Sequence, residues 1–220
     1  MTDFGPLLLS LRLAAVTTLI LMCLATPLAW WLANTRSMLK APVQSIVALP
    51  IVLPPTVLGF YFLLFLSPNS LLGGFWVEVT GSSLTFSFTG LVIASIVYSL
   101  PFAVQPLVSA FETLGRKEVE AAWTLGASRL DAFVSVVVPL TRPGFLSAVV
   151  LSFAHTLGEF GVVLMVGGNI PGATRTVSIA IYDHVESLDY SAAHALSLTL
   201  LGIAFASLLA LFVVNRRARV

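Results

Sequence analysis

The stretch Val119-Glu120-Ala121-Ala122-Trp123-Thr124-Leu125-Gly126, continued by Ala127 to Pro139, sits in the most highly charged part of the chain. The segment Glu112–Arg142 around it holds Glu112, Arg116, Lys117, Glu118, Glu120, Arg129, Asp131 and Arg142. Residues 119–126 read as a short amphipathic helix that stops at a glycine, the residue that relieves left-handed strain at a helix end. Ala127–Val138 resumes with apolar residues and ends at Pro139. The expectation is a helix–turn–helix elbow lying against whatever its neighbours are buried in.

Those neighbours are almost without charge. Of 220 residues, 58% are hydrophobic and 10% charged, against about 25% charged in a soluble domain. Lipid is the solvent that such a surface fits. A hydrocarbon core about 30 Å thick needs about 20 apolar residues in a helix, and five stretches qualify. They are Leu11 to Ala33, Ser45–Leu66, Phe88–Leu107, Pro143 to Val166 (interrupted by Glu159), and Tyr190 to Asn215. The first, over Leu13–Ala33, is longer than the apolar core of about 7–15 residues in a signal peptide, so it reads as a retained span. No alternation of barrel strands occurs, and open sheet edges are not tolerated in lipid. The expected fold is all-α, a polytopic membrane helix bundle of about five spans. It forms a single domain over 1–220, with 112–142 as a loop on one side.

Lys and Arg set the orientation. With the loop after the first span inside, Arg36, Lys40, Arg116, Lys117, Arg129, Arg142, Arg216, Arg217 and Arg219 fall in the cytoplasm. Arg12 and Arg175 alone fall outside. Nine against two puts the N-terminus outside, the C-terminus inside, and the elbow in the cytoplasm. The net charge of +1 gives no field for nucleic acid. Cys23, the single cysteine, has no disulfide partner and reads as a small buried hydrophobe.

The elbow resembles that of the permease subunits of ABC importers. Their motif is Glu-Ala-Ala, three residues, Gly, nine residues, Ile, one residue, Leu, Pro. Glu120, Ala121, Ala122, Gly126 and Pro139 match it, with Val136 and Val138 at the Ile and Leu positions. The resemblance implies a type I importer permease whose elbow is a coupling helix, seated in a cleft of an ATP-hydrolysing subunit. It also implies a bacterial or archaeal inner-membrane complex. Its members are two copies of this chain, two ABC ATPase subunits that carry the ATP and Mg, and one extracytoplasmic binding protein. No Gly-x-x-x-x-Gly-Lys-Ser/Thr phosphate loop is present, so this chain has no ATPase of its own. Two further stretches are similar to molybdate permeases: Leu49-Pro50-Ile51-Val52-Leu53-Pro54-Pro55 and Thr156-Leu157-Gly158-Glu159-Phe160-Gly161. The run Asn169-Ile170-Pro171-Gly172-Ala173-Thr174-Arg175-Thr176 points the same way. The Gly-Glu-Phe-Gly element is shared with sulfate and thiosulfate permeases, and tungstate has nearly the size and charge of molybdate.

Ser152, His155 and Glu159 stand at i, i+3 and i+7, one face of the fourth span. An acid at mid-membrane costs roughly 2.5–3.5 kcal/mol on insertion scales, so it faces the bundle. It is either a gate in the pathway or a buried packing group bonded to His155 or to backbone. Gly158 and Gly161 are close-packing positions. Arg175 is available to a docking protein or as a cap on its own loop. Each proline in spans two and three removes a backbone donor, which fits either a kink or a broken helix beside a pathway. The three histidines, His155, His184 and His194, are scattered, and no metal or catalytic constellation accompanies them. Two rival functions remain: an ion-coupled carrier using His155 and Glu159 as a proton relay, and a scaffold without a pathway. A carrier has no need of a partner-docking elbow, and no inverted repeat supports one.

Overall fold

The computed structural model describes residues 3–217. It is built of helices, with no strand among the described residues. Three helices are long and apolar enough to cross a bilayer alone: α1 (Gly5–Asn34), α5 (Phe88–Leu114) and α12 (Tyr190–Arg217). Among the described residues there are up to five spans by length and composition if each of two bent helix pairs is one.

The second expected span is not straight. It divides into α2 (Lys40–Val52) and α3 (Pro55–Leu66), which bend by 111°. A residue before proline is driven out of the α region, and here two such residues follow one another. Leu53 has ψ 138° and Pro54 ψ 136°. Isolated prolines do less: α5 runs unbroken through Pro101 and Pro106, and α1 through Pro27. Spacing of the prolines, more than their number, decides between kink and break.

The fourth expected span also divides, into α9 (Arg142–Leu157) and α10 (Gly161–Gly167). The helical phase assumed for Ser152, His155 and Glu159 is therefore corrected, because Glu159 lies beyond the end of α9. Between the second and third expected spans stands α4 (Leu71–Thr80), capped by Ser70 Oγ accepting from Gly73 N–H at 2.9 Å. Residues 177–186 form α11 (Val177–Glu186), which packs on α12 and α1, and its first N–H, that of Val177, donates to Ser10 Oγ at 2.8 Å.

The centre of the bundle is α1, α5 and α9. Small buried residues, Ala25, Ala29, Ala103 and Ala148, let the three approach closely. At Gly144 an added Cβ would stand 2.3 Å from that of Ala110. α12 packs on α11 and α9 and leaves Leu198, Leu201, Phe205 and Phe212 exposed. Cys23 is exposed too, not buried as expected. α1 is apolar all round, so its sequence carries no mark of which face meets protein and which meets lipid. Arg219 lies outside the described residues.

Candidate functional site

The elbow is two short helical pieces joined by a glycine turn. α6 (Lys117–Thr124) ends in a Schellman arrangement: Gly126 N–H donates to Trp123 O at 3.0 Å and Ala127 N–H to Ala122 O at 3.0 Å. Gly126 has φ +90°, which L side chains rarely adopt, and nothing lies within 4 Å of where its Cβ would be. Its requirement is conformational, not steric. After the turn, Ser128 Oγ caps α7 (Arg129–Ala132) by accepting from Asp131 N–H at 3.2 Å. A π-helical turn, Phe133–Val137, leads into α8 (Val138–Leu140). Pro139 was expected to end the elbow, but the helical path continues through it to Leu140 before a 74° bend into α9. The missing Pro139 donor and its ring disturb the ladder at Ser135 O, and the widened π turn lies where that disturbance is absorbed.

Glu120, Ala121 and Gly126 are exposed, Ala122 and Pro139 half-buried. The other face is anchored in the bundle. Val119, Ala132 and Val137 are buried in one core with Leu32, Leu107 and Phe111. Trp30 of α1 meets the edges of Phe111 (α5) and Phe133 (elbow), each with centroids 5.3 Å apart, and Phe111 meets Phe145 of α9 at 5.9 Å. Arg116 Nη2 donates to Asn34 O at 2.8 Å, and Lys40 pairs with Glu112 at 3.0 Å. Four elements thus share one set of rings at the elbow's root.

The second polar centre is the break between α9 and α10. The Glu159 carboxylate is fully buried. Ser95 Oγ donates to Oε2 at 2.6 Å and Ser99 Oγ to Oε1 at 2.8 Å. Ser99 Oγ also lies 2.9 Å from His155 Nδ1 and 2.8 Å from Thr156 Oγ1. His155 Nδ1 stands 3.7 Å from Glu159 and is stacked on Phe102 at 4.0 Å. Among the described residues no Lys or Arg pairs with Glu159. His155 and Glu159 are therefore brought together, but Ser152 is not part of the group: its hydroxyl turns back on Ala148 O at 2.6 Å. Gly158 is exposed. Gly161 packs at the other break, where its Cβ would lie 2.9 Å from that of Pro55. Gly59 likewise faces Met165, so α3 and α10 close on each other through both glycines.

Ser95, Ser99 and the ring cluster were not among the sequence candidates. The pair Ser95 and Ser99, four apart in an apolar span, is the signal that would have found the first two. Outside the bundle, Arg175 and Asn169 do come together. Arg175 Nε donates to Asn169 Oδ1 at 2.7 Å, and Asp183 Oδ2 accepts from both Arg175 Nη2 (2.5 Å) and Asn169 Nδ2 (2.7 Å). The group ties the loop to α11.

Residues 25–220 match the family described as binding-protein-dependent transport system inner membrane component. The chain belongs to this family. Among its relatives is the molybdenum transport system permease protein ModB of Azotobacter vinelandii, 52% identical over 96% of this chain and 93% of that one. The same-named permease of Escherichia coli strain K12 is 35% identical over 84% of this chain and 81% of that one. The sulfate transport system permease protein CysT of Salmonella typhimurium is 36% identical over 86% of this chain and 66% of that one. In fold, this permease is similar to a chain of the MetNI methionine ABC transporter (TM-score 0.73, 16% identity, 96% and 94% coverage). It is also similar to a chain of a bacterial alginate ABC transporter in complex with its periplasmic protein (TM-score 0.77, 18% identity, 99% and 79% coverage).

Proposed function

We propose that the chain is the membrane-spanning subunit of an ATP-driven molybdate importer and works as a homodimer. Each copy docks its elbow on an ABC ATPase that holds ATP and Mg, and a binding protein delivers the anion from outside. The observation that carries this reading is the elbow itself. Glu120, Ala121, Ala122, Gly126 and Pro139 hold the motif spacing, Glu120 and Ala121 are exposed, and the reverse face is buried against three spans. Small side chains allow a partner to approach closely, and the exposed carboxylate offers it a charge. The Lys and Arg distribution supports an orientation with this face in the cytoplasm, the N-terminus outside and the C-terminus inside.

The pathway passes the α9–α10 break, with His155, Gly158 and Glu159 lining or gating it and Ser152 and Gly161 holding the helices that frame it. A carboxylate is a poor ligand for an oxyanion, so Glu159 acts on the helices and not on the cargo. Asn169 and Arg175 form the outer face on which the binding protein rests. The molybdate assignment follows the ModB similarity, and the CysT similarity makes sulfate the specific alternative. Uptake of labelled molybdate into cells, with tungstate or sulfate as competitors, tests it. Competition by tungstate alone is expected; competition by sulfate at equal concentration moves the assignment to sulfate.

A further inference from the structure

We propose that the elbow's inner side is a binding site for an anionic phospholipid, its phosphate held by Arg116 and Arg129 and its chains seated on Trp30, Trp123 and Phe133. A cavity of about 290 Å³ lies between the last turn of α1 and the elbow, bounded by these five residues together with Glu120. Most of its wall is apolar, whereas the two guanidinium groups are exposed. One of them, Arg116, is oriented by its bond to Asn34 O at 2.8 Å, and no bond or ion pair among the described residues occupies Arg129.

Each part of this arrangement suits one ligand chemistry. Guanidinium groups match phosphate oxygens geometrically and keep their charge at every physiological pH. Tryptophans are favoured where hydrocarbon meets headgroups, and Trp30 lies at the end of a 30-residue apolar helix. Basic pockets beside the ends of membrane helices take lipid headgroups. A free phosphate would leave the aromatic floor unused. A purely apolar chain would leave two cations over one carboxylate. A phospholipid uses both, and it would fill the space between the elbow and the spans that the elbow moves. The leaflet rests on the orientation proposed above; the site does not.

The test uses the permease–ATPase complex in neutral detergent micelles and reads tryptophan fluorescence against lipids brominated in their chains. Phosphatidylglycerol is expected to quench at concentrations on the order of tenfold below phosphatidylcholine, with Arg129→Gln removing about fivefold of that preference and Arg129→Lys retaining most of it. Equal quenching by the two lipids overturns the proposal, as does a preference that survives Arg129→Gln. If millimolar inorganic phosphate abolishes the preference, the site is a phosphate site and the lipid assignment fails. If the preference exists only in chain freed of the ATPase, the cavity belongs to the ATPase contact, and the proposal fails in that way too. The assay needs neither ATP nor substrate, so its failure is distinct from a failure of transport.

Discussion

Glu159 shows how a buried acid is accommodated with no Lys or Arg partner among the described residues. Burying an unpaired charge is costly, and hydrogen bonds to the charged group recover part of that cost. Here two serine hydroxyls donate to the carboxylate, and both come from one face of α5. Glutamine keeps an acceptor for one serine and offers its amide to the other, so Glu159→Gln is expected to fold with near-native thermal stability but with altered uptake or basal ATPase. Glu159→Ala strands Ser95 and Ser99 and is expected to lose about 1–3 kcal/mol, read as a lowered melting temperature in detergent. An alanine variant as stable as the parent removes the joint; a glutamine variant normal in both activities leaves only packing. Glu120 is the opposite kind of residue. It is exposed, so Glu120→Lys is expected to change stability by no more than about 0.5 kcal/mol while weakening ATPase binding by at least about tenfold in a pull-down titration. Unchanged assembly excludes a docking contact there.

At the scale of elements, the elbow depends on one backbone angle. Gly126→Val puts a branched side chain at φ +90° with no clash to relieve, so its cost is the left-handed penalty of about 1–2 kcal/mol, concentrated in the turn. The chain is expected to insert normally, assayed by membrane fractionation, and to lose ATP-driven uptake. Gly144 tests the bundle instead. Gly144→Val drives a side chain into Ala110 and is expected to destabilise by about 1–3 kcal/mol, measured by thermal unfolding, with the elbow unaltered. The elements themselves were legible in different degrees. Long apolar runs located α1, α5 and α12, because the length of a span is set by the bilayer. The break at Pro54-Pro55 was visible only as an alternative. Whether a helix is kinked or parted depends on the geometry of consecutive pre-proline residues, which hydropathy does not record. The break after Leu157 was missed because a helical phase was carried through Gly158.

Over the whole molecule, the ring cluster at the elbow's root links the elbow to three other helices, and the proposed coupling is expected to run through it. Trp30, Phe111, Phe133 and Phe145 join α1, α5, the elbow and α9 through direct ring-to-ring contacts, and side chains in close contact pass a displacement from one to the next. α5 then carries Ser95 and Ser99 to Glu159, so the elbow and the α9–α10 break are joined by one continuous helix. Phe133→Ala is expected to leave the ATPase bound but to lower uptake per ATP hydrolysed, measured as the ratio of the two rates in the same vesicles; an unchanged ratio means that the cluster is packing alone. The motif spacing was legible in sequence because it lies within one local segment. The ring cluster was not, since its members are contributed by residues from 30 to 145 and meet only after folding.

The most direct test is accumulation of labelled molybdate in proteoliposomes holding this chain, its ATPase and the binding protein, compared between the parent chain and Gly126→Val. The parent is expected to accumulate the anion against its gradient only with ATP on the elbow's side of the membrane, and the variant to accumulate none while still holding the ATPase. Uphill accumulation without the ATPase, or undiminished accumulation by the variant, would contradict a lever worked by a partner's ATP.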